Sequence, residues 1–248
     1  MSARIVWIGH STVLVEMDGV RLLTDPLLRP RVIHLRRVDE VRPEDLPEVD
    51  AVLVSHLHFD HLDIPSLARL GRNTSLVVPR GAARFVRRKG FTAVEEIGVG
   101  EELRFDSLVV RATRAVHDPR RLPVGTRADA VGFVIEGTRS VYFAGDTDVF
   151  DEMAELAPVD VALLPIWGWG PSLGPGHMSP REAAQAAGLL RASVVVPIHW
   201  GTYFPLQSAR HGKPEFIERP VEEFRFLMKD LAPEVEVRVL SLGEETTV

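Results

Sequence analysis

Three of the chain's nine histidines lie within six consecutive positions, in the segment His56-Leu57-His58-Phe59-Asp60-His61. Neutral imidazole and carboxylate are ligands that zinc, manganese and iron accept in proteins. The segment follows directly on residues 51–55, a short run rich in valine and leucine that is typical of a buried strand. This spacing predicts a metal site in the loop at the end of that strand.

Residues of the same two types directly follow several other apolar runs of the chain. Strand ends at one edge of a sheet converge in space, and the loops there carry the functional residues of many rigid scaffolds. Core packing does not produce such a repeated pattern, so we expect these side chains to meet in one site. They are His10 and Asp25 before the histidine-rich segment, and His117, Asp146 and His199 after it.

The strongest ligand candidates are too numerous for one catalytic ion. A catalytic zinc site uses about three protein ligands and keeps one position for water. A larger set suits two ions about 3.5 to 4 Å apart, which share a bridging carboxylate and activate a bridging hydroxide. The candidates are His56, His58, Asp60, His61, His117, Asp146 and His199.

Composition excludes several other kinds of protein. The chain has no cysteine, so it has no thiolate ligand and no cysteine nucleophile. Its formal net charge of -6 argues against nucleic acid as the main partner, because phosphate binding needs a surplus of Lys and Arg. The pairs Arg36-Arg37 and Arg120-Arg121 suit either an anionic substrate or a solvated face.

The N-terminus is interpreted as the first strand of the fold rather than a signal peptide. No apolar run approaches the roughly 20 residues of a membrane span. We therefore expect a cytoplasmic protein with a small-molecule substrate and no membrane span. The sequence leaves the oligomeric state open, a homo-oligomer included.

Short β-rich runs must position these residues. Residues 4–9, 12–17 and 20–24 are predicted strands, and the hairpin dipeptide Asp18-Gly19 joins the last two. The chain is therefore expected to begin as an antiparallel meander. Later strands alternate with helical segments, which indicates a layered α/β or α+β fold with residues 1–248 as a single domain.

Three helices are predicted in the later part of the chain. One lies within residues 80–90, and the last follows Pro220. The clearest begins at Ser179, with Pro180 in its first position and Glu182 completing a capping box. After the last helix, residues 235–243 are predicted to close the sheet as one strand.

The segment 56–61 matches the H-x-H-x-D-H motif of the metallo-β-lactamase superfamily, and the downstream His117, Asp146 and His199 follow in that superfamily's order. The resemblance covers essentially the whole chain. Three further segments resemble one branch, which includes ascorbate-6-phosphate lactonases and the phospholipase D that hydrolyses N-acyl phosphatidylethanolamines. They are WIGHSTVLVEMDGVRLLTDP (7–26), GHMSPREA (176–183) and PIHWGTY (197–203).

The resemblance implies a four-layer αββα sandwich, an α+β fold, with two divalent metal ions between the sheets. Zinc is the favoured metal, with manganese and iron as alternatives. The resemblance also implies that Asp146 bridges the ions, and that Asp60 is a ligand or chiefly the proton acceptor from the nucleophilic water. One ion is then held by His56, His58 and His117, and the other by Asp60, His61 and His199.

The ligand set and the resemblance together predict a hydrolase in which a metal-bridging hydroxide attacks a small anionic ester, either a phosphodiester or a lactone. His177 is interpreted as a residue that contacts substrate or as the acid that protonates the leaving group. The alternative interpretation is an ordinary loop histidine. Two alternatives stay open. One is a metal-loaded binding protein without turnover, and the other is a nucleic-acid processing nuclease of the same superfamily.

Four further residues each fit more than one role. His10 and Asp25 either hydrogen-bond and orient ligand imidazoles, contact substrate, or only cap hairpins. Trp167 and Trp169 either line an apolar substrate pocket, touch a lipid surface, or only cover the end of the sheet.

Overall fold

The computed structural model describes residues 2–38, 48–121, 126–168, 170, 172–206 and 215–248. Within these ranges an all-β start gives way to strands that alternate with helices. Short 3₁₀ helices lie at Asp151–Leu156 and Glu215–Ile217. In chain order the other elements are β1 (Arg4–Gly9), β2 (Thr12–Met17), β3 (Val20–Thr24), β4 (Arg31–Val32), β5 (Leu35–Arg37), β6 (Ala51–Leu53), α1 (Ile64–Leu70), β7 (Ser75–Pro79), α2 (Ala83–Arg87), β8 (Val94–Ile97), β9 (Glu102–Phe105), β10 (Leu108–Arg114), β11 (Val131–Glu136), β12 (Ser140–Phe143), β13 (Val161–Pro165), α3 (Pro180–Leu189), β14 (Val194–Ile198), β15 (Tyr203–Pro205), α4 (Arg219–Leu231), β16 (Glu236–Val237) and β17 (Glu245–Thr247).

The first sheet contains the antiparallel meander that the sequence predicts. β1, β2 and β3 pair in antiparallel order, and their bounds agree with the predicted strands. β6, β7 and β8 then extend the sheet in parallel beside β3. β17 returns to pair with β1 at the other edge, so the strand order is β17-β1-β2-β3-β6-β7-β8.

The second sheet mixes antiparallel and parallel strands in the order β16-β14-β13-β12-β11-β10-β9. β9 to β12 form antiparallel pairs, whereas β12, β13 and β14 are parallel. Every residue of β13 and β14 is buried, as expected for parallel strands covered on both faces. Asp146 and His199, which follow β12 and β14, are also buried.

Two sheets and four helices form the layers of the fold. The sheets face one another across an apolar core that includes Ile5, Trp7, Phe133 and Phe143. Leu67 of α1 and Val86 of α2 pack on the outer face of the first sheet. α3 and α4 pack on the outer face of the second sheet. The predicted four-layer αββα sandwich is therefore confirmed.

The capping box predicted at the start of α3 is present. The Ser179 side chain accepts a hydrogen bond from the Glu182 backbone, and the Glu182 carboxylate accepts one from Ser179 N. Pro180 occupies the first turn, where its missing N–H removes no helical hydrogen bond. This fixed start places the preceding loop, which contains His177, beside the ends of the strands.

The C-terminal segment differs from its prediction as one strand over residues 235–243. β16 has only two residues and ends the second sheet, while β17 pairs with β1 in the first sheet. Gly243 lies between them with a φ of 80°, in the left-handed region that glycine adopts readily. The chain therefore crosses from one sheet to the other. Among the described residues, no helix has the length and apolar character that crossing a membrane requires.

Candidate metal centre

The loop with the three histidines lies between β6 and α1, and both of its ends are fixed. Asp63 caps α1 by accepting from Ser66 N at 3.0 Å, and Arg29 donates to both Asp63 carboxylate oxygens at 2.9 and 2.6 Å. Arg121 donates to the Leu57 and Leu62 carbonyls. Arg121 thus stabilises this loop, which differs from both roles considered for it from the sequence.

The structure brings all seven ligand candidates together. Four sets of His and Asp donor atoms are compact, with every atom of a set within 4.8 Å of the others, and two of these sets together contain six of the seven candidates. Asp146 lies between these two sets, with Oδ2 3.2 Å from His61 Nε2 and 3.9 Å from His56 Nε2. The first set is His56, His58 and His117, and the second is Asp60, His61 and His199 together with His10.

Several buried polar atoms in this cluster lack a hydrogen bond, which tests whether a cation fits. Among the described residues, no hydrogen-bond partner exists for Nε2 of His56, His61 or His199, or for Asp146 Oδ1. His199 Nε2 and Asp146 Oδ1 lie 3.2 Å apart without hydrogen-bond geometry. Buried polar groups are normally paired, and unpaired groups in a native structure indicate a missing partner such as an ion. The residues present therefore fit a divalent cation.

The other ring nitrogen of each of these histidines is held by an oxygen. His61 Nδ1 donates to Asp25 Oδ2 at 2.7 Å, and His199 Nδ1 donates to the Trp167 carbonyl at 2.6 Å. His56 Nδ1 lies 2.9 Å from Ser55 Oγ. A proton on Nδ1 leaves the lone pair on Nε2, which faces the cluster. Metal-binding histidines are oriented in this way by oxygen acceptors.

Asp25 connects the two sets of donors. Its carboxylate is fully buried and accepts from Ser55 N at 2.7 Å, from Ser55 Oγ at 2.5 Å and from His61 Nδ1. Ser55 Oγ in turn accepts from His56 Nδ1. One carboxylate therefore orients His61 directly and His56 through Ser55.

Three residues of the site have left-handed backbone conformations that are rare outside glycine. The φ angles are 55° at His10, 33° at Asp25 and 61° at His199. Such residues cost about 1 to 3 kcal/mol each and cluster at functional sites. Backbone hydrogen bonds hold them, because His199 N donates to His10 O and Asp25 N donates to Leu53 O.

Burial and the facing charges set the protonation of the cluster. Burial lowers the pKa of His10 to about 3 and of His117 to about 4. Burial by itself raises the pKa of Asp60 and of Asp146. The facing imidazoles outweigh the effect of burial and hold both pKa values well below their usual range. Both carboxylates are therefore ionised at neutral pH and attract a cation.

His177 lies at the mouth of the site. Its side chain is 24% exposed, and Nε2 lies 3.3 Å from Asp146 Oδ2. Burial alone lowers the pKa of His177, but the hydrogen bond to Asp146 outweighs this and raises it to about 9. Trp167 contributes its backbone carbonyl to the site, and its indole donates to Gly170 O. Trp169 lies outside the described residues.

Sequence reasoning missed Ser55 and the backbone acceptors of the site. His117 Nδ1 donates to the Gly176 carbonyl at 2.7 Å. Gly176 has a φ of 81°, and a Cβ there would lie 2.7 Å from His117 Nδ1. The glycine-rich stretch before His177 was the available signal for this close approach.

The arginines predicted as solvated or anion-binding differ from one another in the structure. Arg37 is 4% exposed and donates to the Leu27 and Ile8 carbonyls. Arg120 pairs with Asp118 at 2.7 Å at the surface. A cleft of about 530 Å³ lies beside His117, and Arg120 and Arg127 are among its lining residues.

Comparison with known proteins identifies the family. The family described as the β-lactamase superfamily domain matches residues 20–200. A UPF0173 metal-dependent hydrolase of Methanopyrus kandleri is 35% identical over 250 residues, covering 97% of this chain and 98% of that protein. An N-acyl-phosphatidylethanolamine-hydrolyzing phospholipase D of Caenorhabditis elegans is 32% identical over 250 residues, covering 90% of this chain and 68% of that protein.

A solved structure agrees with this relationship. Igni18, a metallo hydrolase from the archaeon Ignicoccus hospitalis, superposes with a TM-score of 0.72 at 26% identity, covering 100% of this chain and 99% of that one. The resemblance read from the sequence is therefore confirmed. The chain belongs to the metallo-β-lactamase superfamily, and it is one of the superfamily's metal-dependent hydrolases.

Proposed function

We propose that this chain hydrolyses a small anionic ester, a phosphodiester or a lactone, with two divalent metal ions. The observation that carries this proposal is the pair of donor sets with the buried Asp146 between them. The unpaired Nε2 atoms facing the cluster support it, because imidazoles whose Nδ1 atoms are held by oxygen partners present Nε2 to a cation. Zinc is the favoured metal, with manganese and iron as alternatives.

We assign the donors to the ions as the two sets suggest, with Asp146 bridging. Donors reach the centre from both sheets, which supports residues 1–248 acting as one domain. The first ion would be held by His56, His58 and His117, and the second by Asp60, His61 and His199.

When bound, the ions would supply a water that is deprotonated near neutral pH and positive charge for the transition state. Asp60 Oδ2 faces the second set, 3.8 Å from His61 Nε2 and 3.9 Å from His199 Nε2. Its side chain is 17% exposed at the mouth of the site. Asp60 would hold the second ion through Oδ2, and its other carboxylate oxygen would accept a proton from the attacking water.

The nature of the substrate is supported by the surface beside the site. The cleft next to His117 has the size of a small-molecule pocket, about 530 Å³. Among the described residues, Arg127 in this cleft has no carboxylate partner, which favours an anion. The name of the C. elegans relative specifies a phospholipase D, which cleaves a phosphodiester, and this supports the phosphodiester as one of the two ester classes.

The proposal is tested by turnover of an activated phosphodiester and a panel of lactones with protein reconstituted separately with zinc and manganese. We expect metal-dependent turnover of one class, reduced by about three orders of magnitude in His199→Ala because a ligand is lost. Turnover that survives full chelation, or that is equal in His199→Ala, would contradict the proposal. Metal content by mass spectrometry distinguishes a protein without ions from one with an untested substrate.

His177 is proposed as the acid or anion contact at the mouth, because its Nε2 lies beside Asp146 while its side chain reaches solvent. His177→Ala is expected to keep the metal content and to lower kcat by about 10²-fold to 10⁴-fold. Metal content and kcat are measured on the same samples, with His177→Gln as the conservative variant. Loss of an ion in His177→Ala would show instead that this residue is a ligand.

A further inference from the structure

His10 is the one histidine of the second donor set that the resemblance does not assign as a metal ligand. It follows β1 directly and is 2% exposed. Its backbone N donates to Thr202 Oγ1 at 2.7 Å, and its carbonyl accepts from Trp7 Nε1 at 2.9 Å and from His199 N at 3.0 Å. The backbone at His10 is therefore held at three points by hydrogen bonds.

The ring of His10 is oriented differently from the rings of the proposed ligands. In His56, His61 and His199 an oxygen holds Nδ1, and Nε2 is left unpaired toward the cluster. In His10 the Nε2 atom itself lies 3.1 Å from Asp60 Oδ2, within hydrogen-bond distance. A nitrogen that donates a proton has no lone pair for a metal. His10 therefore lacks the arrangement that its neighbours share.

We propose that His10 is a positioning residue that donates from Nε2 to Asp60 Oδ2 and holds this carboxylate against His61 and His199. This inference rests on the proposed function, because Asp60 is there a ligand of the second ion. The carboxylate oxygen has enough lone pairs to accept this hydrogen bond and still face a cation.

The need for such a residue follows from the exposure of Asp60. Asp60 is the most exposed carboxylate of the cluster, at 17% against 1% for Asp146 and 0% for Asp25. A carboxylate in contact with solvent has competing rotamers and water partners, whereas the buried carboxylates are held by packing. The hydrogen bond from His10 restricts Asp60 to the rotamer that reaches the second donor set.

Two substitutions separate the hydrogen bond from packing. His10→Leu keeps a bulky apolar side chain beside His199, whose ring centroid lies 3.9 Å from that of His10. The same substitution removes the hydrogen-bond donor to Asp60. His10→Gln removes the ring and keeps an N–H donor at similar reach. Neither replacement is glycine, so both meet the same left-handed backbone at φ 55°.

The experiment is a competition titration of zinc against a chelator, with cobalt(II) absorption spectra of the same proteins. We expect His10→Leu to bind the weaker of two ions about 10-fold to 100-fold less tightly and to change the cobalt spectrum of that ion only. His10→Gln should recover to within a few-fold of the wild type. Thermal unfolding of the metal-free proteins checks that both variants fold.

Each other outcome has a definite meaning. Equal losses in the Leu and Gln variants would overturn the proposal and favour His10 as a ligand or a packing residue. Wild-type affinities in His10→Leu would overturn it as well. If the wild-type protein itself binds fewer than two ions, the proposed dinuclear function fails, which is distinguishable from failure of the His10 assignment.

Discussion

Replacing Asp146 with alanine is expected to lower turnover by about three orders of magnitude or more and to reduce the number of tightly bound ions below two. Asp146 is the carboxylate that lies between both donor sets, with its oxygens 3.2 Å from Nε2 of His61 and of His199. No other carboxylate replaces it in that position among the described residues. The loss of several kcal/mol of transition-state stabilisation corresponds to about this change in rate.

The measurement combines kcat/KM on the substrate class found above with metal stoichiometry. Asp230→Ala is the matched control, because it removes an exposed carboxylate on α4 far along the chain from the site. The control should retain both ions and wild-type turnover. An Asp146→Ala protein with two ions and unchanged kcat/KM would remove the bridging assignment.

Asp25→Asn is expected to weaken the binding of both ions by about 10-fold to 100-fold. The same change is expected to lower the free energy of unfolding of the metal-free protein by about 3 kcal/mol. The carboxylate accepts three hydrogen bonds in a fully buried position, from Ser55 N, Ser55 Oγ and His61 Nδ1. An asparagine offers one acceptor oxygen and places an N–H against these donors. Both ions are affected because His56 is held through Ser55.

Chemical denaturation and chelator competition measure the two effects. Asp106→Asn is a suitable control, since Asp106 is exposed and has a similar left-handed φ of 46°. Asparagine tolerates this backbone conformation, so strain does not explain a difference between the two variants. A change in the affinity of only one ion would contradict the role of Asp25 in orienting both donor sets.

Local sequence signals account for the parts of the fold that were predicted well. β1 to β3 have the predicted bounds, because apolar runs and the Asp18-Gly19 turn are read over a few residues. The start of α3 was also predictable from its capping box. Short elements were not. β4, β5 and β15 have two or three residues each, too few for a periodic pattern.

The types and order of the donor residues were predictable because imidazoles and carboxylates recur at strand ends. Their orientation was not. The acceptors for His117 and His199 are the backbone carbonyls of Gly176 and Trp167, and a carbonyl is present at every position of a sequence. Arg37 was predicted as a solvated or anion-binding residue, but it lies in β5, which pairs with β4 and β15 in a small separate sheet, and it donates to the backbone carbonyls of Leu27 and Ile8.

The division of the donors between the two sheets also affects how the protein is made. His56, Asp60 and His61 follow β6 of the first sheet, whereas Asp146 and His199 follow β12 and β14 of the second. A ribosome translates the first group long before it reaches β14, so a nascent chain holds only part of the proposed centre. If the centre binds its ions as proposed, tight loading would require the second sheet to be synthesised and packed against the first, and ion uptake would be a late step of biogenesis.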